Sequence, residues 1–133
     1  MKNKLMMCCL VILALAFSCK EEEEQSEIKM VSSEEMQSLL ELEDIQLVDV
    51  RTADEYKTGY IEYSQNIDIT SPTFDEDIIK LDKNKPVIVY CKSGGRSAKC
   101  TKKLKAAGFV KIYDLKGGIT QWKFKGNQIK TIQ

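Results

Sequence analysis

The chain contains no histidine. That absence excludes a Cys–His or Ser–His–Asp nucleophile and any zinc site that needs imidazole. No metal ion or other cofactor is expected. A charge excess is missing as well, because 20 Lys and Arg face 20 Asp and Glu. That balance gives no global reason to expect nucleic acid. The apolar run from Leu5 to Phe17 has thirteen residues, short of the ~20 that an ordinary membrane-spanning helix needs. No internal repeat or second domain is visible, and 133 residues suffice for one domain with its own core.

What is present begins with a leader. Lys2, Lys4 and the apolar run match the n- and h-regions of a secretory signal. Ala16-Phe17-Ser18-Cys19 then sets small residues before a cysteine, which resembles a bacterial lipoprotein signal cleaved before Cys19, with lipid on the Cys19 thiol. Ala16 stands where such signals usually carry leucine, so an ordinary signal peptide and an uncleaved anchor remain alternatives. Residues 1–18 are expected as the signal. Residues 19–27, with the acidic run KEEEEQSE, are expected as a solvated tether. Without Lys2 and Lys4 the mature chain has 18 basic and 20 acidic side chains, net −2. This reading places the protein outside the cytoplasm, lipid-anchored on the periplasmic or cell-surface side of a bacterial membrane.

The five cysteines then sort themselves. Cys8 and Cys9 leave with the signal, Cys19 carries lipid, and Cys91 and Cys100 remain. One sits at a strand end and the other inside the next helix. A rise of about 1.5 Å per residue separates their Cα atoms by roughly 10 Å or more, too far for a disulfide. Cys100 reads as a small buried hydrophobe.

Over 28–125 short apolar strands alternate with amphipathic helices. Strands are expected at 28–31, 45–50, 66–69, 86–90 and 110–115. Ser32 and Glu35 form a capping box for a helix through Leu40, and Thr52 and Glu55 cap another that ends near Gly59. Further helices are expected at 75–81 and 97–107, the latter closed by Gly108, with a last turn carrying Trp122. Residues 126–133 read as a loose tail. Strands separated by helices imply crossovers: an α/β fold with a mainly parallel sheet of about five strands and helices on both faces. Ligands of such sheets bind beyond the carboxyl ends of the strands. Cys91 is placed there, at the end of the most apolar strand.

The stretch VIVYCKSGGRSAKC (87–100) carries the chemistry. Gly94 and Gly95 let the loop curl and turn its N–H groups inward. The helix that follows adds unpaired N–H groups and the positive end of its dipole. Lys92 and Arg96 add full charges. A thiol in that field ionises more readily and needs no histidine base. The loop is not a nucleotide-binding P-loop, which requires Gly-x4-Gly-Lys-Ser/Thr.

Three stretches together resemble a single-domain rhodanese, a sulfurtransferase of the thiosulfate:cyanide type: LVDVRTADEYKTGYI (47–61), KPVIVYCKSGGRSAKCTKKLKAAGF (85–109) and VKIYDLKGGITQW (110–122). Related phosphatases use Cys-x5-Arg, a roomier loop; Cys91-x4-Arg96 has the tighter loop of the sulfur-transferring members. The resemblance implies a Cys91 persulfide, formed from a small sulfur-containing anion such as thiosulfate or polysulfide and emptied by a thiol, cyanide or protein acceptor. It implies that amides of Lys92, Ser93, Gly94, Gly95 and Arg96 cradle the persulfide while Arg96 and Lys92 hold the anionic donor. Ser97 is expected either to cap the helix or to donate to the thiolate. Asp49 and Arg51 match the family's Asp-x-Arg pair and are expected as a supporting ion pair. Gly117 and Gly118 are expected to bring their loop close to the site, and Trp122 to be core. Lys102, Lys103 and Lys105 read as a solvated helix face.

One stretch departs from the family. Relatives typically read Gly-His-Ile-Pro-Gly-Ala where this chain has Gly59-Tyr60-Ile61-Glu62-Tyr63-Ser64, so a changed turn is expected. Two alternatives to an enzyme stand: a catalytically silent rhodanese-like binding or sulfide-sensing module on a lipid tether, and a redox protein using Cys91 and Cys100.

Overall fold

A computed structural model describes residues 26–42 and 44–132. The expected signal, the expected lipidation site Cys19 and most of the expected tether lie outside the described residues. In chain order the elements are β1 (Glu27–Val31), α1 (Ser33–Leu42), β2 (Gln46–Asp49), α2 (Ala53–Thr58), β3 (Gln65–Asn66), α3 (Phe74–Ile78), β4 (Val87–Tyr90), α4 (Gly95–Ala106), β5 (Lys111–Leu115) and α5 (Gly118–Phe124). The five strands form one sheet in the order β1-β5-β4-β2-β3, and every pairing is parallel. The expected α/β architecture is therefore present, with the sheet wholly parallel.

Position in the sheet explains composition. β4 is the central strand and all four of its residues are buried, which is why VIVY runs apolar without alternation. One face packs Val48, Val50, Val87, Val89 and Ile112 against α3 and α4, through Phe74, Ile78, Cys100 and Leu104. The other packs Leu47, Ile88, Tyr90 and Leu115 against α1 and α5, through Met36, Ile119 and Trp122. The helices on both faces exclude water from the strands.

Both expected capping boxes close. Glu35 N donates to Ser32 Oγ at 3.1 Å and Ser32 N to a Glu35 carboxylate oxygen at 2.8 Å. Thr52 and Glu55 do the same ahead of α2. Gly108 follows α4 with φ +89°, a left-handed stop that glycine takes without a Cβ clash.

Besides α1, which runs on to Leu42, and shifts of one residue at several ends, the boundaries differ in four places. β3 is shorter than expected, although Ile67 N and Ile69 N still donate to the carbonyls of Asp49 and Val50. α3 stops at Ile78 and continues only as turns. α4 begins at Gly95, two residues early, so its N-terminus reaches into the cysteine loop. The residues after 126 are not loose. Tyr60 and Lys130 exchange backbone hydrogen bonds of 2.8 Å in an antiparallel bridge, and Trp122 Nε1 donates to the Gln128 carbonyl at 2.9 Å.

The departing turn keeps a demanding backbone. Tyr63, 86% exposed, has φ +66°, a region that costs a non-glycine residue roughly 1–2 kcal/mol. The turn is held from below: the Tyr90 hydroxyl accepts from Ile61 N and shares a 3.0 Å hydrogen bond with Ser64 Oγ.

Candidate active site

The site forms where β4 ends and α4 begins, at the carboxyl edge of the sheet. Cys91 is 1% exposed, so its thiol is largely removed from water. Gly94 takes φ +123°, a conformation that L side chains rarely adopt. That twist turns the Gly94 amide onto the sulfur, N to Sγ 3.1 Å. Ser97, in the first turn of α4, places its Oγ 3.6 Å from Sγ and donates to the Gly94 carbonyl at 3.1 Å. Ser97 does not cap the helix, whose N-cap is Gly94; its hydroxyl ties down the loop carbonyl and accepts from the Cys91 thiol.

The electrostatic balance follows from these contacts. Burial alone would push the Cys91 thiol up. The Ser97 hydroxyl and the amides of Ser97, Gly94 and Ser93 outweigh burial and bring the thiol below its ordinary value. Donors aimed at the sulfur favour the thiolate. Cys100 shows the opposite result. Burial and the charge of Asp114 push it up to about 12, and both cysteines are free thiols. Cys100 packs in the core as expected.

A second loop closes over the first. Gly117 and Gly118 both have positive φ, and behind them Ile119 N and Thr120 N donate to the carbonyls of Cys91 and Lys92 at 2.9 and 3.1 Å. A Cβ on Gly118 would lie 2.6 Å from the Lys92 carbonyl oxygen and closer still to that of Cys91. Backbone approaches backbone here, which explains why no side chain fits.

Arg96, expected to hold the anionic donor, is paired here with a carboxylate. Its two terminal nitrogens grip the Glu55 carboxylate at 2.7 and 2.9 Å. This bidentate pair spans 41 residues and ties α4 to the cap of α2. Arg96 holds the Glu55 carboxyl down at about 2, aided by the Thr52 amide and hydroxyl against partial burial. Much of the Arg96 charge is therefore already met by a carboxylate. Lys92, Ser93 and Gly95 are exposed on the rim.

Asp49 and Arg51 form the expected ion pair, Nη2 to Oδ2 2.7 Å. Asp49 is fully buried and accepts from Arg51 N, Nε and Nη2. Arg51 also donates to the Gly59 carbonyl at 2.6 Å and lies 5.9 Å over the Tyr90 ring. The pair braces β2 against the Gly59 turn, and its hydrogen bonds are with the scaffold. A groove of about 860 Å³ lined by Leu40, Ile45, Ile61, Tyr63, Trp122 and Gln128 lies elsewhere and does not include Cys91.

Two residues escaped the sequence reading as members of the site. Glu55 was legible only as a helix cap, because nothing local points from it to Arg96. Asp114 sits at an inward position of β5, 2% exposed. A carboxylate interrupting the buried pattern of KIYDL was the available signal.

Comparison with known proteins agrees with this geometry. The profile of the Rhodanese-like domain family matches residues 32–125. Thiosulfate sulfurtransferase GlpE of Coxiella burnetii is 35% identical over 95 residues, covering 71% of this chain and 87% of that protein. The tRNA uridine(34) hydroxylase of Buchnera aphidicola is 35% identical over 98 residues, 69% of this chain but only 31% of the relative. The chain thus spans about a third of that longer protein. A rhodanese-related protein from Thermoplasma volcanium, known by crystal structure, superposes with TM-score 0.70 at 27% identity, covering 78% of this chain and 99% of the other. With the parallel sheet, the cysteine loop at its carboxyl edge and the matched profile in agreement, this chain belongs to the rhodanese-like domain family.

Proposed function

We propose that the protein is a sulfurtransferase that carries sulfane sulfur on Cys91. The observation that carries this reading is the 3.1 Å approach of the Gly94 amide to Sγ inside a six-residue loop. In the first step the Cys91 thiolate attacks the outer sulfur of thiosulfate or a polysulfide. The donor's S–S bond breaks, its electron pair leaves with sulfite or the shorter chain, and a persulfide forms. In the second step an acceptor thiolate or cyanide attacks the outer persulfide sulfur, and the electron pair returns to Sγ as thiolate. The preorganised amides stabilise the anion at both stages without reorganising. A sulfur only 1% exposed favours a slim donor over a bulky one. The lipid tether through Cys19 belongs to the same reading and rests on the residues before it.

The test is direct. The chain from Ser26 onward is incubated with thiosulfate and its intact mass measured. A gain of one sulfur atom, abolished by Cys91→Ser, is expected. No gain with thiosulfate, polysulfide or mercaptopyruvate, from folded and reduced protein, would overturn the enzyme reading in favour of a silent binding or sensing module.

A further inference from the structure

The cysteine loop carries two cations, Lys92 and Arg96. The Arg96 charge is met by a carboxylate that the fold fixes from its other side. Glu55 Oε2 accepts from Thr52 N and Thr52 Oγ1, both at 3.0 Å, as part of the α2 cap. The same oxygen accepts from Arg96 Nη1 at 2.7 Å, and Oε1 accepts from Nη2 at 2.9 Å. A bidentate pair of this kind is stronger than a single charged hydrogen bond and fixes the plane of both groups. Arg96 cannot turn to an incoming anion without giving up that grip. It stands one residue before Ser97, whose Oγ meets Cys91 Sγ at 3.6 Å. Asp68, which accepts from Ala53 N at 3.2 Å beside the same cap, puts a second carboxylate on that side. Asp49 and Arg51 neutralise each other. Two loop cations and the Glu55 carboxylate leave a formal charge of at most +1 around the sulfur, not +2.

We propose that Glu55 is a specificity-determining residue that sets the charge of the molecule reaching Cys91. By gripping Arg96 it withholds one positive charge from that molecule. The site then takes a neutral or singly charged sulfur donor, such as the persulfide of a small organic thiol, ahead of the thiosulfate dianion. The inference rests on the reading of Cys91 as the sulfur-carrying nucleophile. A dianion beside a free guanidinium and a lysine would have both of its charges met. With Arg96 engaged, one of them faces a carboxylate instead. The two side chains of the pair are 30% and 33% exposed, so water screens the effect and the preference is several-fold, not exclusive.

The test compares alkylation of Cys91 by neutral iodoacetamide and anionic iodoacetate, two reagents of similar size, in the full chain and read by peptide mass. The same thiolate attacks both, so the ratio of the two rates cancels any change in thiol ionisation and reports the field at the sulfur. Glu55→Gln removes the charge and keeps the capping box, which accepts glutamine at that position. It is expected to raise the iodoacetate-to-iodoacetamide ratio about fivefold at low salt, the scale of one unit charge acting over roughly 8 Å in a partly solvated site. Concentrated salt should erase most of that gain. In an Arg96→Gln background the same substitution is expected to add little, because no guanidinium is left to turn. An equal or lower ratio in Glu55→Gln would overturn the proposal, as would a full gain without Arg96 or a gain that salt leaves untouched. Should Arg96→Gln fail to fold, the direction and salt dependence of the Glu55→Gln effect decide. Alkylation needs no sulfur transfer, so a ratio that moves as expected in a chain that forms no persulfide would refute the sulfurtransferase reading alone.

Discussion

At the scale of single residues, the site depends on one ion pair that is far from local. Glu55 caps α2 through Thr52 and at the same time receives both arms of Arg96. Its carboxyl is held at about 2, against about 4.3 for an unperturbed glutamate. A carboxyl depressed on folding stabilises the protein fully above the unfolded value and loses that contribution as pH falls through the folded one. Glu55→Gln is expected to cost on the order of 1 kcal/mol near neutral pH, because the pair is partly exposed and screened. Denaturant melts should show that difference shrinking as pH falls from roughly 4.3 to about 2. A difference that stays constant across this range would show that packing, not charge, holds Glu55.

At the scale of elements, the sequence was most legible where one period ran uninterrupted. β4 and α4 could be read because VIVY is buried on both faces and Cys100 and Leu104 recur at helical spacing toward the core. The cysteine loop was legible because its glycines and cations are neighbours in the chain. What lay hidden was contact between distant segments. Arg96 finds Glu55 and the chain after 126 returns to Tyr60, yet neither pairing has a local signal. The polar tail GNQIK resembled a loose end because its anchors are backbone groups and one indole. Deleting residues 127–133 removes the 2.8 Å exchange with Tyr60 and the Trp122–Gln128 bond, and it uncovers the Gly59 surface on which Ile129 rests. At about 1 kcal/mol net per bond, a loss of roughly 3 kcal/mol is expected in chemical denaturation. An unchanged midpoint would mean that the bridge adds nothing in solution.

At the scale of the whole molecule, the described residues carry two cores, one on each face of the sheet, with the cysteine loop at its carboxyl edge. None of their helices is long and apolar enough to cross a membrane. Attachment in the proposed reading therefore belongs to the leader, where Cys19 follows an apolar run too short to span. A lipid chain contributes about 0.8 kcal/mol per buried CH₂, and stable anchoring takes more than one chain or a second signal. A chain lipidated on Cys19 is expected to enter the detergent phase of a phase-separation assay when made in a bacterium that processes lipoproteins. Cys19→Ser removes the only thiol at that junction and should move the protein to the aqueous phase. Persulfide formation on Cys91 should be unaffected, since the donors to its sulfur, the Gly94 amide among them, come from its own loop and α4. A Cys19→Ser protein that stays with detergent would instead mark residues 5–17 as an uncleaved anchor, and the tether would then hold the domain through protein rather than lipid.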